Sequence, residues 1–340
     1  MEKEKPGNGQ GFKALDLETQ VRILSGLLNL LKTIEQVLFM YDIIIVGAGP
    51  AGLTSAIFAK RHGLNVLVLD NPVEMSSLGE APLVENWPGT KSITGIELLE
   101  NMKEHVKSLG VEIKSEAATG ISRNGSFSVD TEGNKYESKA LILAMGLRHR
   151  KAKVEGAEKF LGKGLSYCTV CDGPMFKGKT VAVIGGGDAA VKGAIALKDM
   201  GVEKVFVVHR RDQLRAEEML QKRLFDSGAE MVWNSVIDGI TGRDSVESIT
   251  VKNTETGEKR KIDVDGVFIE IGSVPVTELL KELDIRLDKN GFIAVNNAME
   301  TNVPGVFAAG DISNNQLKQN ITACSEGAVA AISAYRYIKS

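Results

Sequence analysis

The sequence predicts an α/β fold with two Rossmann-like units, and three observations predict it. A nearly continuous apolar run, Asp42-Ile-Ile-Ile-Val46, leads straight into Gly47-Ala-Gly49-Pro-Ala-Gly52. A second run, Lys179-Thr-Val-Ala-Val-Ile184, leads into Gly185-Gly-Gly187-Asp-Ala-Ala190. After each turn the apolar positions fall at helical spacing. Apolar runs without alternation mark strands buried on both faces, as parallel sheets require.

The elements follow in order. Tyr41 to Val46 reads as the first strand and 53–62 as its helix. Leu64 to Leu69 reads as a second strand, ending in Asp70. A less regular region, 71–95, contains Glu85-Asn-Trp-Pro-Gly89. Residues 96–109 read as a helix and 111–138 as short strands with polar turns. Lys139 to Met145 is another buried strand, stopped by Gly146. The scheme then restarts: strand at Lys179, helix over 188–200, strand Val205 to Val208, and Val267 to Ile271 closing the second unit. Strand Gly305 to Ala309 and a helix from about Asn320 end the chain.

The 340 residues leave room for two domains. Forty-one basic against forty-four acidic residues give a net charge of -3, which argues against nucleic-acid binding by bulk electrostatics. At 43% hydrophobic and 25% charged residues the chain is of ordinary globular composition, not wholesale disordered. With 36 Gly and only 8 Pro, the glycines suit tight turns rather than linkers. Three cysteines exclude a secreted disulfide scaffold.

Residues 1–40 form an N-terminal extension. Residues 1–20 read as a polar, mobile tail, and Leu24, Leu27, Leu28 and Leu31 share one helical face. That face suits packing on the body or on a partner. Its polar side is poor in Lys and Arg, which disfavours a membrane-surface anchor. Asn29, Lys32, Glu35 and Gln36 interrupt the apolar stretch, so neither a spanning helix nor a signal peptide is expected. Met40 directly precedes the first strand and is an alternative natural start.

The glycine turns carry chemistry. Gly47 permits a tight turn, Gly49 leaves room for a pyrophosphate, and Gly52 lets helix and strand pack closely. The helix N-terminus offers free N–H groups to phosphate. Asp70 lies near the roughly 20-residue spacing at which an acid binds a ribose hydroxyl. The bland alternative is a glycine turn with no ligand. After the second turn the strand ends in His209-Arg-Arg211, with Arg215 beyond, and no acid. Arginines there suit a ribose 2′-phosphate, hence NADPH over NADH. The alternative is a solvated basic patch. Two such sites in one chain suggest a tightly held flavin and an exchanging nicotinamide.

Cys168-Thr-Val-Cys171 precedes the second unit's first strand. A zinc half-site needs a second ligand pair, and Cys324 with four histidines supplies none. No metal is expected. So short a loop gains little from a structural disulfide. A redox dithiol is the reading that uses the spacing. Asp172 is placed to exchange protons, unless it is merely a solvated turn residue. Cys324 reads as a packing residue.

From about Tyr41 onward the chain resembles the low-molecular-weight thioredoxin reductases. The ordered motifs are Gly47 to Gly52, Val84-Glu-Asn-Trp-Pro-Gly89, Ala144-Met-Gly146, Ser166-Tyr-Cys-Thr-Val-Cys-Asp-Gly173, Gly185-Gly-Gly-Asp188, His209-Arg-Arg-Asp212, Gly266-Val-Phe-Ile269 and Gly305-Val-Phe-Ala-Ala-Gly-Asp311. The resemblance implies an FAD-binding domain of 41–148 and 279–340, with an NADPH-binding domain, 149–278, inserted in it. It implies FAD contacts from Gly47, Gly49, Pro50, Ala51, Gly52, Asp70, Asn86, Ala144, Gly146, Gly310 and Asp311. Lys318, Gln319 and Asn320 would line the isoalloxazine. NADPH would meet Gly185, Gly187, Asp188, Ala189, His209, Arg210, Arg211 and Arg215. Cys171 would face the flavin in charge-transfer contact, Cys168 would attack the disulfide of thioredoxin, and Asp172 would handle protons. The inserted domain would swivel about hinges near 148–151 and 276–279. A cytoplasmic homodimer is implied, without membrane or nucleic acid.

Three departures stand out. Met75-Ser-Ser-Leu78 occupies the place of the family's Gly-Gly-Gln. Ala189-Ala-Val-Lys192-Gly193 replaces Ser-Ala-x-Glu-Glu, putting a cation and a glycine where two carboxylates are usual near the nicotinamide. Lys318 replaces an Arg and loses the planar fork. The second departure keeps a donor other than NADPH open. A glutaredoxin-like or peroxiredoxin partner is the alternative substrate. A non-catalytic flavin-binding protein is the alternative of a different class, and it would need no dithiol.

Overall fold

The first apolar run is strand β1 (Tyr41–Val46), whose last four residues are buried. Helix α1 (Pro50–Arg61) starts at Gly49 as N-cap with Pro50 in its first turn, where a missing N–H costs nothing. Strand β2 (Val66–Leu69) is buried throughout. Helix α2 (Gly95–Ser108) is capped by Thr94, whose hydroxyl accepts from the Glu97 N–H. Then come β3 (Glu112–Lys114), β4 (Ala118–Asn124), β5 (Ser126–Thr131), β6 (Lys135–Leu143) and β7 (Leu147–His149). In this computed structural model the described residues are 40–340 together with Thr19, Arg22 and Ser25. The leucine face expected over 24–31 lies outside them.

β3, β2, β1 and β6 form a parallel sheet in that order. β6 starts earlier and stops sooner than the sequence suggests, because its first residues pair antiparallel with β5. β5 in turn pairs with β4. Ile43 and Ile45 point to a core shared with α1 and α2, whereas Ile44 and Val46 point to the opposite core, which takes in Phe127 and Val129 of β5. Alternation along one buried strand thus serves two layers.

The second half opens with helix α3 (Ala157–Phe160), β8 (Leu165–Ser166) and the short helix α4 (Thr169–Asp172). β9 (Thr180–Gly185), α5 (Asp188–Asp199), β10 (Lys204–Val208), α6 (Glu218–Asp226) and β11 (Glu230–Val232) follow. β12 (Ser235–Thr241), β13 (Ser248–Asn253) and β14 (Lys259–Asp263) make an antiparallel meander. β15 (Gly266–Glu270) returns to the parallel sheet, ordered β11-β10-β9-β15-β8. β16 (Ser273–Pro275) pairs antiparallel with β7 in a two-stranded ribbon. β17 (Val306–Ala308) rejoins the first sheet against β6, and helix α7 (Asn320–Lys339) packs on α1.

Four buried clusters fill the molecule, two in each half. None mixes side chains of 41–147 and 279–338 with those of 152–269. The two halves therefore have separate cores, joined through the β7–β16 ribbon.

Candidate active site

A cavity of about 360 Å³ opens at the C-terminal ends of β1, β2 and β6. Ligands bind there in open parallel sheets because the helix N-termini converge on those ends. Gly47 has φ +107°, and a side chain on it would strike the Ala144 carbonyl. A methyl on Gly52 would lie 1.9 Å from the Gly47 carbonyl oxygen, so only glycine lets α1 start this close to β1. At Gly49 such a methyl would meet only Ser76 Cβ, at an ordinary contact distance of 3.8 Å, beside the uncapped first turn of α1.

Of the residues expected at a flavin, Gly47, Gly49, Pro50, Ala51, Asp70, Ala144, Gly146, Gly310, Asp311 and Asn320 line this cavity. Gly52 lies buried beneath it. Asp70 directly follows β2, with one oxygen 3.2 Å from Lys103 Nζ. Burial pushes the Asp311 carboxyl up, offset in part by Lys318. Asn86, Lys318 and Gln319 do not line the cavity. The Asn86 amide donates to Gln319 Oε1 at 3.1 Å, and Gln319 caps α7. Lys318 donates to the Ser313 carbonyl and sits 4.6 Å over the Phe292 ring. A lysine has no planar fork to span both that carbonyl and a ligand.

Sequence reasoning missed the wall at Met75–Leu78 as cavity lining, together with Arg148 and Glu278. The Met75–Leu78 stretch was visible only as a departure from a family motif. Arg148 and Glu278, which are ion-paired with each other, carry no motif at all.

The second glycine turn begins α5 at Gly187, again with no side-chain cap. Asp188 accepts from the Glu217 N–H at 3.0 Å, and Ala189 is exposed. Arg210, Arg211 and Arg215 are exposed, and none pairs with a carboxylate among the described residues. Three guanidinium groups beside a free helix start suit a phosphate. His209 differs from expectation. It is 5% exposed and lies under the turn, where a methyl on Gly186 would come within 2.2 Å of its Nδ1. Burial pushes its imidazole toward the neutral form. It shapes the turn from beneath and does not face solvent.

Cys168 and Cys171 form a disulfide with Cα atoms 5.4 Å apart. Cys168 is the N-cap of α4, and its Sγ accepts from the Cys171 N–H at 3.1 Å. Cys168 and Asp172 are half-buried, whereas Cys171 is exposed. Neither cysteine lines the cavity of the first half. Cys324 is half-buried, and burial pushes its thiol up, away from the reactive thiolate.

The family model for pyridine nucleotide-disulphide oxidoreductases matches residues 41–327. The chain belongs to that family. Among curated proteins, the thioredoxin reductase of Bacillus subtilis (strain 168) is 40% identical to it over 303 residues, covering 88% of this chain and 95% of its own. The crystal structure of Lactococcus lactis thioredoxin reductase (FR conformation) overlays with TM-score 0.85 at 38% identity, covering 88% of this chain and 99% of that one. Thioredoxin reductase from Streptococcus pyogenes overlays with TM-score 0.58 at 39% identity, covering 88% and 99%. Family membership implies a pyridine nucleotide and a redox disulphide, with a flavin between them. Among the described residues no helix is long and apolar enough to cross a membrane.

Proposed function

We propose that this chain is a thioredoxin-disulfide reductase, taking electrons from NADPH through FAD to the Cys168–Cys171 pair and on to thioredoxin. The observation that carries it is the disulfide itself. It sits at the surface on α4, packed against α5 of the half that also holds the arginine trio. The cavity fits FAD: a free helix start for the pyrophosphate, Asp70 for a ribose hydroxyl, and Asp311 beside the opening of α7. FAD, when bound, supplies a two-electron relay between nicotinamide and disulfide.

The chain's own residues do the rest. An incoming electron pair breaks the S–S bond and leaves two sulfur anions, one of which takes a proton. Asp172 is the adjacent carboxyl for that transfer. Cys168, as the family resemblance implies, is the sulfur that attacks a partner's disulfide, with Cys171 the one that exchanges with the flavin. The attack forms a mixed disulfide and expels one partner thiolate. Cys171 then attacks Cys168, restoring the intramolecular disulfide and releasing the partner as a dithiol. Arg210, Arg211 and Arg215 select the 2′-phosphate of NADPH. The division 41–148 with 279–340 for FAD and 149–278 for NADPH accords with the separate cores. Cytoplasmic location and homodimer assembly belong to the same reading and rest on family resemblance.

Anaerobic titration with NADPH tests the reading. Full bleaching of the flavin should need about two equivalents, one for FAD and one for the disulfide. The Cys171→Ser protein should need about one and lose disulfide reduction. Bleaching by dithionite but not by NADPH would put another donor in its place.

A further inference from the structure

The cofactor proposed for the cavity ends in an adenine. With its pyrophosphate at the start of α1 and a ribose hydroxyl at Asp70, directly after β2, the base lies beyond Asp70. The Asp70 N–H donates at 2.8 Å to the carbonyl of Lys114, just before Ala118 at the start of β4. Ala118 lines this end of the cavity with Leu147 and Arg148 of β7 and with Val276, Glu278 and Leu279, which follow β16. Ala118 and Leu279 pack on the core that faces away from α1, whereas Ala48 and Ala51 of the first glycine turn belong to the other core. This end therefore lies across the sheet from the phosphate-binding turn.

Arg148 is the only cationic side chain lining the cavity among the described residues. Leu147 pairs with Pro275 in the ribbon, which brings Arg148 of one strand and Glu278 beyond the other to the same edge, where they form an ion pair. A cation meant for phosphate is left unpaired, as the arginines of the second half are. A guanidinium neutralised by a carboxylate still offers its flat face. His149, the next residue of β7, is engaged elsewhere: its Nε2 lies 2.8 Å from Glu80 Oε2, and neither lines the cavity.

We infer that Arg148 is the residue that holds the adenine, its guanidinium stacked on the base and fixed there by Glu278, with Ala118, Leu147, Val276 and Leu279 as apolar walls. Guanidinium planes stack favourably on aromatic faces, and more so once desolvated. Glu278 is a positioning residue that acts through Arg148. The clamp rests on the reading of the cavity as an FAD site, and it assigns the end of the cofactor farthest from the chemistry to the strands that join the two halves.

Reloading of the full-length protein after its flavin is stripped tests the clamp. Arg148→Ala should raise the Kd for FAD about 5- to 30-fold. In protein loaded with etheno-FAD, whose modified adenine fluoresces, acrylamide should quench the base more strongly in Arg148→Ala than in the parent. Arg148→Lys keeps the charge but not the plane and should weaken FAD about threefold or more. Glu278→Ala should weaken it less, and should add nothing on top of Arg148→Ala, because it acts through that side chain. FAD affinity that neither Arg148 variant changes, or weakened affinity with the base shielded as before, overturns the clamp alone. A parent protein that takes up no FAD overturns the reading of the cavity and the clamp with it.

Discussion

Gly193 of α5 lies directly against Thr169, the residue after the first redox cysteine. A methyl on Gly193 would sit 2.9 Å from Thr169 Cγ2 and 3.2 Å from its Oγ1. Thr169 is buried, so it has nowhere to retreat without moving α4. The departure from the family's paired carboxylates thus has a structural consequence here: the glycine sets how closely the disulfide helix rests on the nucleotide-binding half. Gly193→Glu is expected to cost about 1–3 kcal/mol through overpacking and to slow disulfide reduction. Lys192→Glu, on the half-buried flank of the same turn, should shift stability by no more than about 0.5 kcal/mol. Thermal unfolding and turnover of the two variants, side by side, check both statements.

The three exposed guanidinium groups at the second glycine turn have no carboxylate partners among the described residues, so their charge is free for an anion. A charge-assisted hydrogen bond contributes about 1.5–3 kcal/mol. Arg211→Ala should lower kcat/KM for NADPH by about 10- to 100-fold. The value for NADH should stay within about twofold, because NADH lacks the 2′-phosphate. Equal losses with both nucleotides would show that the arginine supports the fold of the turn and not phosphate recognition.

Glu326 of α7 is buried, and its Oε2 accepts from the Gly310 N–H at 2.7 Å and from Ser313 Oγ at 3.1 Å. It therefore fixes the loop that carries Asp311 into the cavity. Glu326→Ala leaves that buried N–H unsatisfied, which costs about 1–3 kcal/mol, and should release flavin on dilution. Glu326→Gln keeps an acceptor and should retain most of the bound flavin. Gel filtration followed by the ratio of flavin to protein absorbance distinguishes them.

Much of this was legible beforehand because the informative residues are short-range. A buried strand, three glycines and a helix are one local unit, so Gly47 to Gly52 and Gly185 to Gly187 declared both sheets. Cys168 and Cys171 needed only their spacing. Contacts across the chain were not legible. Nothing local ties Arg148 to Glu278, or Glu80 to His149. The same limit explains His209, which adjoins the arginines in sequence yet lies buried with its ring against Gly186 of the glycine turn. Lys318 and Gln319 were placed by motif, but a backbone carbonyl takes one and the cap of α7 the other.

Glu270 gives stability a pH dependence of definite sign. Its carboxyl, desolvated at the end of β15, titrates at about 7 in the folded protein, against about 4.3 for an unfolded chain. The folded state thus binds the proton more tightly. That contribution is fully present below pH 4, begins to fade as the unfolded chain ionises, and is lost as pH rises through 7. Its size is roughly 3–4 kcal/mol at most. His149, raised by Glu80, acts in the same direction. The melting temperature should fall between pH 5.5 and 8.5. Glu270→Gln cannot ionise and keeps the shape, so it should flatten most of that fall and melt higher than the parent protein at pH 8.5. If the variant follows the parent curve over the whole range, Glu270 is solvated in the folded protein and the slope belongs to other groups.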